Sequence, residues 1–154
     1  MDTALAWARS KVGVREDPPG SHRGAEIDEW QQACGLIGYP WCGAFVAAAL
    51  RAAGLVVPRE IVWTPTLLEW ARTGQHGFSW RAWEDRASGD LVLFSFAKSE
   101  WEANHVGLLD LDRRHTIEGN TTSNGSDDEA AGGVVARRDR NGRGVVGCAR
   151  PAWP

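Results

Sequence analysis

The sequence is short of the features that would place it in several large classes. Three cysteines is an odd number, so they cannot all bridge within the chain, and at least one thiol stays free. The cysteines and the four histidines show no CxxC or HxxxH spacing, which argues against a zinc site. Neither sign of charge dominates: 17 Lys and Arg stand against 20 Asp and Glu, a net charge of −3. That balance excludes the strongly basic face by which a nucleic-acid binder is first recognised. No apolar run is long enough to cross a bilayer. Residues 30–50 carry no charge, but Gly35, Gly38, Pro40 and the pair Gln31 and Gln32 interrupt them. The remaining Trp41–Leu50 is half the length of a span and predicts a buried helix. The opening residues MDTALAWARSKVGVRE lack a basic segment followed by an apolar core, so no secretory signal and no membrane anchor are read.

What is present describes an ordinary globular chain. Apolar residues make up 43% and charged residues 24%. The length of 154 residues suits one domain, since domains cluster at ~100–150 residues. A chain of this size buries roughly 70% of its unfolded surface and needs no staple to hold a core. Nine tryptophans against one tyrosine are expected mainly as core filling.

The pattern divides the chain into a helical half and a strand-rich half. Ala4, Leu5, Ala8 and Val12 mark an amphipathic first helix ending near Gly13. Ile27, Trp30, Gln31 and Cys34 share a face of a second helix that stops at Gly35. Trp41 to Ala53 predicts a third helix stopped by Gly54. Thr64 and Pro65 read as cap and first turn of a fourth that ends near Gly74. Short apolar runs then recur at 78–83, 90–96, 105–111, 115–118, 134–138 and 145–149, separated by turn residues. Residues 119–133 read as a polar loop. Helices first and strands afterwards predict an α+β fold, with N-terminal helices on a C-terminal antiparallel sheet of about six strands.

Cys42 is the first residue with chemical promise. It follows Pro40 and Trp41 at the first turn of the third helix. Unpaired N–H groups and the helix dipole favour a thiolate there, and the same N–H groups suit the oxyanion of a tetrahedral intermediate. Gly43 beside it suggests a close approach of substrate, and Trp41 a wall of the substrate groove. A thiol nucleophile needs a base and a group to orient that base. Of the four histidines, His105 opens an apolar strand in NHVGLLDL, which puts a side chain at the rim of a sheet on a rigid backbone. Glu118 ends the next strand and Asn120 follows across Gly119. Glu118 suits the second ring nitrogen of His105; Asn120 suits it more weakly, or polarises the site as a neutral partner.

The order of these residues carries a resemblance. VGVRE with PPG (12–20), PWCGAFVAAALRAAG (40–54), SGDLVLF (88–94), NHVGLLD (104–110) and IEGNT (117–121) occur in the order seen in the CHAP domain. That domain is the cysteine, histidine-dependent amidohydrolase/peptidase module of peptidoglycan lysins, in the NlpC/P60 and papain-like group. The resemblance covers nearly the whole chain and is specific as a set. It implies a papain-like fold and hydrolysis of a cell-wall amide through a thioester. Cys42 is then nucleophile, His105 base and later acid, Glu118 the orienting residue and Asn120 a fourth polar member. It leaves open whether the enzyme is an N-acetylmuramoyl-L-alanine amidase or a peptide endopeptidase.

The resemblance also implies bacterial peptidoglycan as partner; a monomer is expected, and a net charge of −3, which gives no long-range pull toward an anionic wall, predicts a separate wall-binding domain. With no signal read, the reading is a phage endolysin catalytic domain, made in the host cytoplasm and acting on the wall. A secreted or injected effector with papain-like hydrolase or deamidase activity, and a non-catalytic wall-binding module, are the competing readings. Some relatives hold calcium ahead of the nucleophile. Here Glu16, Asp17, Glu26, Asp28 and Glu29 lack the alternating spacing of a calcium loop, and no cofactor is expected. Cys34 and Cys148 are expected as buried thiols. Arg137, Arg138, Arg140 and Arg143 read as a solvated edge strand.

Overall fold

Each helix begins and ends where local chemistry dictates. In the computed structural model, which describes residues 1–96, 100–124 and 132–154, α1 spans Asp2–Ser10 and turns Ala4, Leu5 and Ala8 inward. It stops a turn earlier than the periodicity predicts and leaves Val12 exposed. The physical reason is Gly13, whose positive φ redirects the chain so that its N–H donates to Val135 O at 2.9 Å. Helix α2 (Ala25–Gln32) buries Ile27, Trp30 and Gln31, and the turn after it buries Cys34. Helix α3 (Cys42–Ala52) is buried along most of its length. A 3₁₀ turn, Arg59–Val62, leads into α4 (Thr64–Thr73), which ends at the left-handed Gly74. Thr64 does not cap α4 as predicted. Trp63 holds the cap position, and the Thr64 hydroxyl donates instead to Ala103 O at 2.8 Å.

Six strands follow: β1 (Phe78–Arg81), β2 (Leu91–Phe94), β3 (His105–Leu109), β4 (His115–Thr121), β5 (Val134–Asp139) and β6 (Val145–Pro151). They form one antiparallel sheet in the order β1-β6-β2-β3-β4-β5. The architecture is α+β, with four helices N-terminal to the sheet. Strand β4 runs three residues further than the sequence pattern predicts, so Gly119 to Thr121 belong to the sheet and not to a loop. Residues 125–131 of that predicted loop lie outside the described residues.

Alternation along the strands splits the apolar residues between two faces. Leu91, Leu93, Val106, Leu108 and Ile117 join the main core with the helices. Val92, Phe94, Phe96, Leu109 and Cys148 form a second, smaller cluster. Trp7, Trp30, Trp41 and Phe45 pack ring against ring, with neighbouring centroids 5.5–5.9 Å apart. That aromatic group joins α1, α2 and α3. Among the described residues no helix is long and apolar enough to cross a membrane.

Strand β5 is an edge, as its basic sequence suggests, but it is not solvated throughout. Arg138 and Arg140 are buried, with Arg138 Nη1 donating to the hydroxyls of Thr121 (3.0 Å) and Thr122 (2.8 Å). Arg137 pairs with Asp110 at 2.7 Å and with Asp112 at 2.6 Å. A charge on this strand is burial-competent because β4 places a hydroxyl or carboxylate opposite it, which composition alone does not show.

Candidate active site

The first turn of α3 is held from both sides. Trp41, fully buried, donates its indole Nε1–H to Glu16 Oε1 at 2.9 Å. The ring therefore anchors the turn instead of lining a groove. Gly43 also serves packing: a Cβ there would lie 2.5 Å from Val62 Cα and O. Its missing side chain lets the 3₁₀ turn reach α3. Ahead of the turn, Gln31 accepts from Tyr39 N at 2.9 Å and donates to His22 O at 2.7 Å. These contacts fix the chain that leads into Cys42, the first residue of the helix.

His105 is the first residue of β3, and both its ring and that of Phe96 lie near Phe94. Its ring is flanked by Cys42 and Glu118, both of which favour its protonated form. Its Nε2 lies 2.9 Å from Glu118 Oε2, which leaves Nδ1 as the ring nitrogen for the thiol. Both His105 and Glu118 are at most 1% exposed. Gly107, two residues along β3, makes room for this pair: a Cβ there would come within 2.5 Å of Glu118 Cγ.

Glu118 has further partners. Arg140, 1% exposed, forks onto it, with Nε donating to Oε1 at 3.0 Å and Nη2 to Oε2 at 2.5 Å. The Thr116 hydroxyl donates to Oε1. The Arg140 guanidinium also stacks 4.4 Å from the Phe96 ring centroid. Burial raises the Glu118 pKa, but the bonds from His105 and Arg140 overcome it and pull the carboxyl down to about 2. Burial likewise lowers the His105 pKa, and the bonds to Cys42 and Glu118 reverse this and raise it to about 10. The carboxylate is therefore ionised and the ring holds a proton at neutral pH.

Asn120 stands apart. It has a positive φ of 54° at the bulge between Glu118 and Thr121, and its buried Oδ1 meets no partner. Asn tolerates this left-handed conformation better than most residues. The bulge lets Gly119 press against α3, where a Cβ would lie 2.6 Å from Phe45 Cβ. Asn120 thus shapes the strand that carries Glu118, and no hydrogen bond joins it to His105.

The other candidates are engaged elsewhere. His22 faces Glu16 at 3.1 Å, His76 packs tilted against Trp70, and His115 meets Asp112 at 2.6 Å. Cys34 and Cys148 are free, buried thiols, and burial followed by the charge of Asp90 pushes Cys148 up to about 12. Glu26 pairs with Lys11, and Asp28 with Arg23 at 2.8 Å. Among the described residues no group of three or more His, Cys, Asp or Glu is placed to hold a metal ion. Sequence reasoning connected Cys42, His105 and Glu118 but missed Arg140. The only signal was an arginine just past a strand whose neighbour carries the carboxylate.

The arrangement is the Cys42 sulfur at a helix start, an imidazolium beside it and an ionised carboxylate behind. Such a set can attack a carbonyl and protonate a leaving amine. The chain matches no protein-family model and no curated protein.

Proposed function

We propose that the chain is a cysteine amidohydrolase that cleaves an amide bond of bacterial peptidoglycan, as its resemblance to the CHAP domain implies. The observation that carries this reading is the buried relay Cys42–His105–Glu118, with Cys42 at the first turn of α3 and the apolar cavity opening on it. In the mechanism, Sγ of Cys42 attacks the carbonyl carbon, and the developing oxyanion meets the unpaired N–H groups of the α3 first turn. The His105 imidazolium passes its proton to the amine as the C–N bond breaks. Water then attacks the thioester with neutral His105 as base, releasing the acid and restoring the thiol. Glu118 keeps the ring oriented and stabilises its positive form throughout.

Incubation of purified cell walls with the wild type and with Cys42→Ala tests the reading. Clearing by the wild type is expected, with loss of at least ~10³-fold in the variant, as for removal of a nucleophile. Clearing by a folded Cys42→Ala at the wild-type rate removes Cys42 as nucleophile. Intact walls under both proteins, with release of ammonia from protein glutamine, identify a deamidase instead.

A further inference from the structure

Glu16 closes the VGVRE segment and takes no part in the relay, yet it is only 3% exposed. Its Oε1 accepts from the Trp41 indole at 2.9 Å and faces His22 Nδ1 at 3.1 Å. Its Oε2 is buried and meets no hydrogen-bond partner among the described residues. A buried carboxyl with an orphaned oxygen costs stability, and an apolar side chain of similar size would not. Glu16 is therefore poor packing, and its use lies in the residue it holds.

The backbone of Glu16 belongs to the sheet. Gly13 N donates to Val135 O at 2.9 Å, Val135 N to Val14 O at 2.7 Å and Glu16 N to Gly133 O at 2.8 Å. Arg15 bridges Val134 in the antiparallel sense. Residues 13–16 thus run along the outer edge of β5, and β5 pairs with β4, which carries Glu118. Trp41 belongs to the helix. It holds the N-cap position of α3, and its carbonyl accepts from Phe45 N at 2.9 Å. Its side chain makes no capping bond, so the first-turn N–H groups around Cys42 are not fixed in that way. They are fixed by the Trp41 ring, which is held between Glu16 and β4: a Cβ on Gly119 would lie 2.8 Å from Trp41 Cζ3.

We infer that Glu16 is a positioning residue: through the Trp41 indole it sets the first turn of α3, and with it Sγ of Cys42, against the sheet that carries His105 and Glu118. This rests on Cys42 as nucleophile and adds a residue to that site. The sulfur comes from a helix, and its base and carboxylate come from strands, so contacts between the two layers must hold their spacing. An apolar contact would fill the space, whereas a hydrogen bond also fixes the direction of the ring. A shift of α3 against the sheet turns the first-turn N–H groups off Sγ. That lowers the thiolate fraction and slows every reaction of the sulfur.

Iodoacetamide labelling tests this without any wall substrate, with Cys42 read separately from Cys34 and Cys148 by peptide mass spectrometry. Glu16→Gln keeps an oxygen acceptor for the indole and deletes the charge. Glu16→Met keeps the length of the side chain and deletes the acceptor. The Met variant should label Cys42 about tenfold more slowly than the wild type, and the Gln variant within about twofold of it. In a Trp41→Phe background the indole N–H is already gone, so adding Glu16→Met should slow labelling by less than about twofold. Wild-type labelling in the Met variant overturns the inference and reduces Glu16 to packing. A Gln variant as slow as Met overturns it too, because the charge then acts and not the anchor. A full tenfold slowing by Glu16→Met on top of Trp41→Phe shows a route that bypasses Trp41 and also overturns it. Circular dichroism identifies the folded variants. If Glu16→Met is unfolded, Trp41→Phe alone decides, and labelling of that protein at the wild-type rate overturns the inference. Wild-type Cys42 labelled no faster than free cysteine removes the nucleophile reading as well, which is a separate failure.

Discussion

Glu118 answers to two cations, and the second is the one that makes the buried group neutral. Cys42, His105, Glu118 and Arg140 carry no net formal charge whether the shared proton sits on sulfur or on the ring. A proton can therefore cross the site without adding a buried charge, the costliest change an apolar interior can undergo. Arg140→Met should destabilise the fold by roughly 3 kcal/mol, as expected for breaking a buried pair by removing one partner. It should also let the Glu118 pKa climb from about 2 toward its ordinary 4.5, moving the acid limb of kcat/KM to higher pH. Arg140→Lys restores charge without the two-point fork and should recover only part of both losses. Urea unfolding and a pH–rate profile measure the two effects. A Met variant with wild-type stability and an unmoved acid limb would show that Arg140 is a bystander.

At the scale of elements, glycines decide how closely the layers meet. Gly43 admits Val62 to α3, Gly107 admits Glu118 to β3, and Gly119 admits Phe45 to β4. Each lies beside a residue of the relay, so the close approaches set the relay's geometry. Gly43→Ala would place its Cβ against backbone, which cannot swing aside, and should cost about 1–3 kcal/mol by overpacking. The displaced 3₁₀ turn ends at Val62 and leads directly into Trp63, so KM should rise as well as Tm fall. Thermal melts and steady-state kinetics check this, and an Ala variant with unchanged Tm would refute the contact. These roles were only partly legible. The sequence shows glycine beside Cys42 and reads it as space for substrate. Which neighbour fills that space depends on Val62, nineteen residues away, and no local pattern encodes the approach.

For the whole molecule, the site's charges define a pH window. Glu118 has a lowered pKa, so its contribution is complete above its ordinary 4.5 and is lost as pH falls toward about 2. His105 has a raised pKa, so its contribution is complete below its ordinary 6.5 and is lost as pH rises toward about 10. Both are whole between pH 4.5 and 6.5, and the Tm of the wild type should peak there. In Glu118→Gln the His105 ring loses its carboxylate, so its pKa falls, and the alkaline decline in Tm should flatten. A wild-type-like alkaline slope in that variant would separate His105 from Glu118. Asp110 ties the same scale together, joining Arg9 of α1 to Arg137 of β5.

The sequence by itself determined the succession of four helices and six short strands, because periodicity and turn residues are local. It also determined that Cys42 stands at a helix start and His105 at the start of an apolar strand, since Cys42 follows Pro40 and Trp41, and His105 opens an apolar run. Tertiary structure alone decided the rest. Trp41 turned inward to Glu16, Thr64 left its cap for Ala103, and Asn120 bent β4 instead of meeting His105. Arg140 came to Glu118 across the pairing of β4 with β5. Register and burial depend on how distant segments fit together, and a charge is buried only where that fit supplies its partner.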